Sequence, residues 1–137
     1  MISISKSEQD RLLREAEKVS ERAYAPFSKF FVGCAVLTSD GKTYVGCNVE
    51  NSSYGLTNCA ERTAIFTAIA DKGDGRKLDL KAVAVVNRDG VPCAPCGACR
   101  QVIFEFGPNA VVIYKGPDGS IAQTPITELL PAGFRLE

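Results

Sequence analysis

The chain has 137 residues, 45% of them hydrophobic, and its sixteen acidic and sixteen basic side chains balance. That length supports one core and not two, so residues 1–137 are expected to form a single domain, and no run of Lys or Arg supplies the concentrated positive charge that a nucleic-acid partner needs. The sequence contains no histidine, which removes Ser-His-Asp and Cys-His catalysis and any imidazole zinc site, and leaves proton transfer to a carboxylate.

Met1 to Lys6 lacks the apolar core of a signal peptide, and no apolar stretch approaches membrane-spanning length. The expected compartment is the cytoplasm, with no membrane partner. There the six cysteines are better read as thiols and metal ligands than as disulfides.

Ser5 to about Arg22 predicts a packing helix, with Leu12, Leu13, Ala16 and Val19 on one face. Tyr24 to Phe27, with Pro26, breaks it. Val32 to Leu37 and Thr43 to Cys47 flank Ser39-Asp40-Gly41, a hairpin signal. Asn48 to Gly55 is too polar and aperiodic for either regular element, and it leads from a strand end into a helix, where open sheets place ligands. Within it Asn48 and Glu50 alternate and could present polar groups on one side to a polyhydroxyl substrate. Ala60, Ala64, Ile65, Ala68 and Ile69 have helical spacing, and Asn58 with Glu61 has the form of a capping box, so this helix opens around Cys59.

Beyond a loop at Gly73-Asp74-Gly75, Lys81 to Asn87 reads as a short buried strand. Pro95 precedes Val102, Ile103 and Phe106, a second helix that stops at Gly107-Pro108 and carries Cys96 and Cys99 on its first turn. Ala110 to Tyr114 and Ile121 to Thr124 are further strands around the Pro117-Asp118-Gly119 turn, and Thr127 to Leu130 is a short helix. Strands alternating with helices imply an α/β sandwich built on a mixed, five-stranded sheet.

The chemistry gathers at Cys59-Ala60-Glu61 and Pro95-Cys96-Gly97-Ala98-Cys99. A helix N-terminus carries unpaired N–H groups and roughly half a positive charge, which favours the thiolate that a metal requires. Two such ends meeting would hold one zinc ion per chain through Cys59, Cys96 and Cys99. Three protein ligands leave the fourth tetrahedral position for water, as in catalytic zinc sites. Glu61, two residues after Cys59, can face that position without ligating. Ligand-x-Glu followed by Pro-Cys-x-x-Cys is the layout of zinc-dependent deaminases. Glu61 as a mere capping carboxylate, and Cys93 as a fourth thiolate closing a structural zinc, are the competing readings; Pro95 disfavours one turn carrying both Cys93 and Cys96.

With these residues assembled, the chain resembles the small, homotetrameric type of cytidine deaminase. The resemblance runs through Phe30-Phe31-Val32-Gly33, Gly46 to Asn51, Tyr54, Asn58 to Ala64, Pro95 to Gln101 and Glu128 to Pro131. It implies a three-layer α/β/α sandwich and hydrolytic deamination of cytidine and 2′-deoxycytidine. It also implies zinc on Cys59, Cys96 and Cys99, with Cys93 outside the ligand set and Glu61 as proton shuttle. The Ala60 amide would meet the pyrimidine carbonyl, Asn48 and Glu50 the ribose 3′-hydroxyl, and Phe30 the base. Tyr54 and Phe134 would reach a neighbouring subunit's site in a tetramer. Cys34, Phe27 and Cys93 depart from the usual family residues. Because three thiolates leave zinc with a net negative charge, Arg62 is expected to donate hydrogen bonds to the ligand sulfurs. A same-fold deaminase of another aminopyrimidine nucleoside, such as blasticidin S, a non-catalytic zinc module and a dithiol redox protein are the rivals.

Overall fold

Ser5 Oγ accepts the Glu8 N–H at 3.1 Å and so caps helix α1 (Lys6–Ser20), satisfying one of the N–H groups that a helix start leaves unpaired. The computed structural model describes residues 4–136, so the N-terminal reading at Met1 to Ser3 falls outside the described residues. Leu12 and Ala16, one helical turn apart, are fully buried. They make the face by which α1 lies on the sheet.

The hairpin expected around Asp40-Gly41 joins β1 (Val32–Thr38) to β2 (Thr43–Cys47), with Gly41 at φ 90°, a left-handed conformation that glycine adopts without a Cβ clash. Helix α2 (Ala60–Lys72) ends at Gly73, whose N–H bonds Ile69 O. Then follow β3 (Leu80–Asn87), α3 (Gly97–Phe106), β4 (Val111–Lys115), β5 (Ile121–Pro125) and the short α4 (Ile126–Leu129). The strand order is β2-β1-β3-β4-β5. β3 and β4 pair in parallel and the other neighbours are antiparallel, because α3 supplies the crossover that a parallel pair requires.

Alternation along buried strands assigns the layers. Ala35, Leu37, Ala82, Ala84 and Ile113 pack with Leu12 and Ala16 of α1. Cys34, Val36, Val83, Val85 and Val112 face the other way, against Ile65 of α2, Ile103 of α3 and Ile126 of α4. The result is the three-layer α/β/α sandwich with a mixed five-stranded sheet. Burying Ile65 or Ile103 stabilises it by about 1.5–3 kcal/mol each. Gly46 in β2 lets α2 come close. A Cβ there would stand 2.9 Å from the Thr63 carbonyl carbon and clash with the Ala64 amide nitrogen, so this glycine sets how near the start of α2 lies to the sheet.

One local expectation changes. Asn58 does not cap α2; Cys59 is the N-cap residue, in extended conformation, and Asn58 Nδ2 donates to Thr63 Oγ1 at 3.0 Å. The Asn58 N–H that Glu61 would receive in a capping box is taken by Val49 O at 2.9 Å, and Glu61, buried at 4% exposure, lines a cavity instead.

Candidate metal centre and active site

Two helix starts meet at one end of the sheet. Cys59 is the N-cap of α2 and Cys96 the N-cap of α3, both with extended backbone and neither with a side-chain capping bond. Cys99 sits on the first turn of α3, fully buried. The three Sγ atoms lie within 4.8 Å of one another, with Cys59 and Cys96 3.9 Å apart. Thiolates about 2.3 Å from a tetrahedral zinc stand about 3.8 Å apart, so both the donor chemistry and the spacing fit zinc. Among the described residues the cluster has these three cysteines. Cys34 and Cys93 are not members, and the closed four-sulfur module loses its support.

The electrostatics follow from this crowding. The neighbouring Cys99 thiol, ahead of Arg62, pulls the Cys59 thiol down to about 5, while Cys99 is in turn pushed up by Cys59 and by burial. Arg62 Nη2 donates to Cys59 Sγ at 3.3 Å. Its Nε is buried and has no partner among the described residues. Burial first, and then the Cys59 charge, pushes the Glu61 carboxyl up to about 7. A carboxyl in that surrounding can both hold and release a proton.

A cavity of about 410 Å³ opens in front of these groups. Cys59, Ala60, Glu61 and Cys96 form its floor, and Phe30, Asn48 and Glu50 are in its wall. Ala60 is the first helical residue of α2, a position whose N–H has no acceptor within the helix. Asn48 is buried, and its amide is engaged: Oδ1 accepts the Val32 N–H and Nδ2 donates to the Phe30 carbonyl, each at 2.8 Å. It holds the segment from Phe30 to Val32 against the cavity and keeps one N–H for a ligand. Glu50 accepts the backbone N–H groups of Phe27 and Ser28 and the Ser28 hydroxyl. The Ser28 hydroxyl is the leading reason its carboxyl is held below the usual range.

Tyr54 and Phe134 are not in the cavity wall. Tyr54 is 74% exposed and Phe134 69% exposed. The Tyr54 ring is tilted against Phe27 with centroids 5.7 Å apart, beside a second hollow of about 270 Å³ that shares Ser28, Glu50 and Thr57 with the first. The Phe134 carbonyl accepts from Gln101 Nε2 at 3.1 Å. Two groups at the site escaped the sequence reading. Ser28 and Thr57 line the cavity without any local pattern that marks them. Cys93, placed outside the ligand set, also lines it, and burial pushes its thiol up to about 12. The overlapping Cys93-x-x-Cys96 spacing was the one signal that drew attention to it.

Comparison with known proteins agrees with this geometry. The family model of the cytidine and deoxycytidylate deaminase zinc-binding region matches residues 6–115. A cytidine deaminase of Sporosarcina psychrophila is 48% identical over 129 residues, covering 93% of this chain and 92% of that protein. One from Halalkalibacterium halodurans is also 48% identical, covering 92% of this chain and 93% of that protein. The crystal structure of a cytidine deaminase from Burkholderia pseudomallei superposes with a TM-score of 0.80 at 45% identity, covering 96% of this chain and 100% of that one.

Proposed function

The chain belongs to the cytidine and deoxycytidylate deaminase zinc-binding family, and from that premise we propose that it hydrolyses cytidine and 2′-deoxycytidine to uridine and 2′-deoxyuridine, releasing ammonia. The observation that carries this is the convergence of three cysteine sulfurs, two of them, Cys59 and Cys96, lining one cavity together with the buried Glu61 carboxyl. Cys59, Cys96 and Cys99 would hold the zinc. When bound, zinc supplies a Lewis acid that makes water a nucleophile near neutral pH.

The remaining steps belong to side chains and backbone. The Phe30 ring packs on the pyrimidine, the Ala60 N–H binds its carbonyl oxygen, and Asn48 and Glu50 bind the ribose 3′-hydroxyl. Together they fix C4 of the base over the floor of the cavity. Glu61 takes a proton from the attacking water and gives it to N3 as oxygen adds at C4. It then moves a proton from that oxygen to the departing amine, so one water enters, one ammonia leaves and the carboxylate is restored. Arg62, on Cys59 Sγ, orients that ligand and offsets part of the thiolate charge.

Tyr54 and Phe134, exposed and off the cavity of their own chain, are read as reaching a neighbouring chain's site in a homotetramer. No helix among the described residues is long and apolar enough to cross a membrane, and the cytoplasm is the proposed compartment. The test is the loss of cytidine ultraviolet absorbance on adding purified protein, with zinc quantified in the same sample. Turnover with about one zinc per chain is expected; cytidine untouched by zinc-loaded protein would refute the reading.

A further inference from the structure

Ser28 and Phe30, in the turn from Pro26 to Phe30, line the cavity beside Glu50, and besides the backbone bond from Lys29 N–H to Ala25 O at 3.0 Å the turn is held by the side chains of Ser28, Glu50 and Asn48. Ser28 gives its hydroxyl proton to Glu50 Oε2, and its backbone N–H goes to Glu50 Oε1 at 3.2 Å. Its Oγ also accepts the Phe30 N–H at 3.0 Å. Between them Lys29 stands at φ 60°, the left-handed region that costs a non-glycine residue roughly 1 kcal/mol and persists only where neighbours hold it. The bond from Phe30 to Ser28 spans that residue and, with the Asn48 bond to the Phe30 carbonyl, positions the Phe30 ring at the cavity.

Glu50 shows the same dependence. A carboxylate has about four acceptor sites. Two are filled on Oε1, by the Phe27 N–H at 3.0 Å and the Ser28 N–H, and one is filled on Oε2 by the Ser28 hydroxyl. The site left on Oε2 is the one available to a ligand hydroxyl. The backbone donors pin Oε1 alone, so the direction of Oε2 depends on the Ser28 hydroxyl.

We propose that Ser28 is a positioning residue for substrate binding, its hydroxyl aiming Glu50 Oε2 at the sugar 3′-hydroxyl while anchoring the Phe30 turn. This rests on the cytidine reading and on Glu50 as its sugar contact. Ser28 is not a member of the cysteine cluster, so its removal lowers affinity and leaves the chemical step alone.

The experiment compares wild type, Ser28→Ala and Ser28→Thr, each zinc-loaded, on cytidine, 2′-deoxycytidine and 3′-deoxycytidine. Loss of one hydrogen bond to a charged group predicts a rise in KM of about tenfold for Ser28→Ala on both substrates that keep the 3′-hydroxyl, with kcat within about twofold. Ser28→Thr, which keeps the hydroxyl, recovers most of that. On 3′-deoxycytidine the penalty of Ser28→Ala shrinks to the part carried by the Phe30 turn, within about threefold. An equal penalty on all three substrates, or a fall in kcat at unchanged KM, overturns the proposal. Wild-type protein inactive on cytidine would overturn the underlying function itself, a result visible before any variant is made.

Discussion

Replacing Asn48 with Ala tests how far the site and the fold share the same bonds. Asn48 Oδ1 and Nδ2 hold the Val32 N–H and the Phe30 carbonyl at 2.8 Å each, with the residue only 8% exposed. Asn48→Ala removes two hydrogen bonds of about 1 kcal/mol each and leaves the Val32 N–H buried without an acceptor, a further 1 kcal/mol or more, so about 3 kcal/mol of stability should go. For a chain of this size that is a drop in Tm of about 10 °C. Equilibrium urea unfolding of zinc-loaded wild type and variant measures it, with KM for cytidine recorded alongside, since a loosened Phe30 segment weakens base packing. A residue that served only to touch ligand would cost nothing on removal and could even stabilise the free protein. A loss under about 1 kcal/mol, with KM alone affected, would refute the idea that Asn48 holds the cavity wall.

Three further outcomes are expected. Glu61→Ala should keep one zinc per chain by metal analysis and lose about a thousandfold or more in kcat; a zinc-loaded variant that stays active would remove Glu61 from the mechanism. Serine in place of Cys59, Cys96 or Cys99 should each abolish stoichiometric zinc, whereas Cys93→Ser should retain it; loss of zinc on Cys93→Ser would make Cys93 a ligand. Far from the site, the hydrogen bond from Lys72 Nζ at 2.8 Å holds the Asp40 carboxyl at about 2, below its ordinary 3.8. A folded pKa below the unfolded one gives stability that is present above the unfolded value and lost as pH falls through the folded one. Wild type should therefore lose its advantage over Lys72→Met between about pH 4 and pH 2, and a stability gap that stays constant across that range would refute it.

The elements and the candidate donors are local properties of the chain. Apolar spacing in α1 and α2, unbroken apolar runs within β3 and β4, and turn residues at Gly41 and Gly73 are local signals, because backbone geometry maps directly onto residue period. The cysteine spacing was equally legible, although Cys96, expected on the first turn of α3, is its extended N-cap, and the lack of histidine narrowed the candidate acid–base group to a carboxylate. Local rules misplaced only what a tertiary contact overrode, as at Asn58, whose amide goes to Thr63 while Glu61 turns into the cavity.

Tertiary structure alone decided which distant groups meet. Nothing near Ser28 announces that its hydroxyl will find Glu50, 22 residues on, or that Asn48 will bridge Phe30 and Val32 from the next strand's end. Hydrogen-bond partners across a sheet are set by register and by how closely layers pack, quantities that no single stretch of chain contains. The same holds for Cys59 and Cys96, brought to 3.9 Å because α2 lies tight on β2 at Gly46 and α3 is the crossover between β3 and β4. The chain supplies the three thiols, and the stacking of two helices on one face of the sheet brings them together.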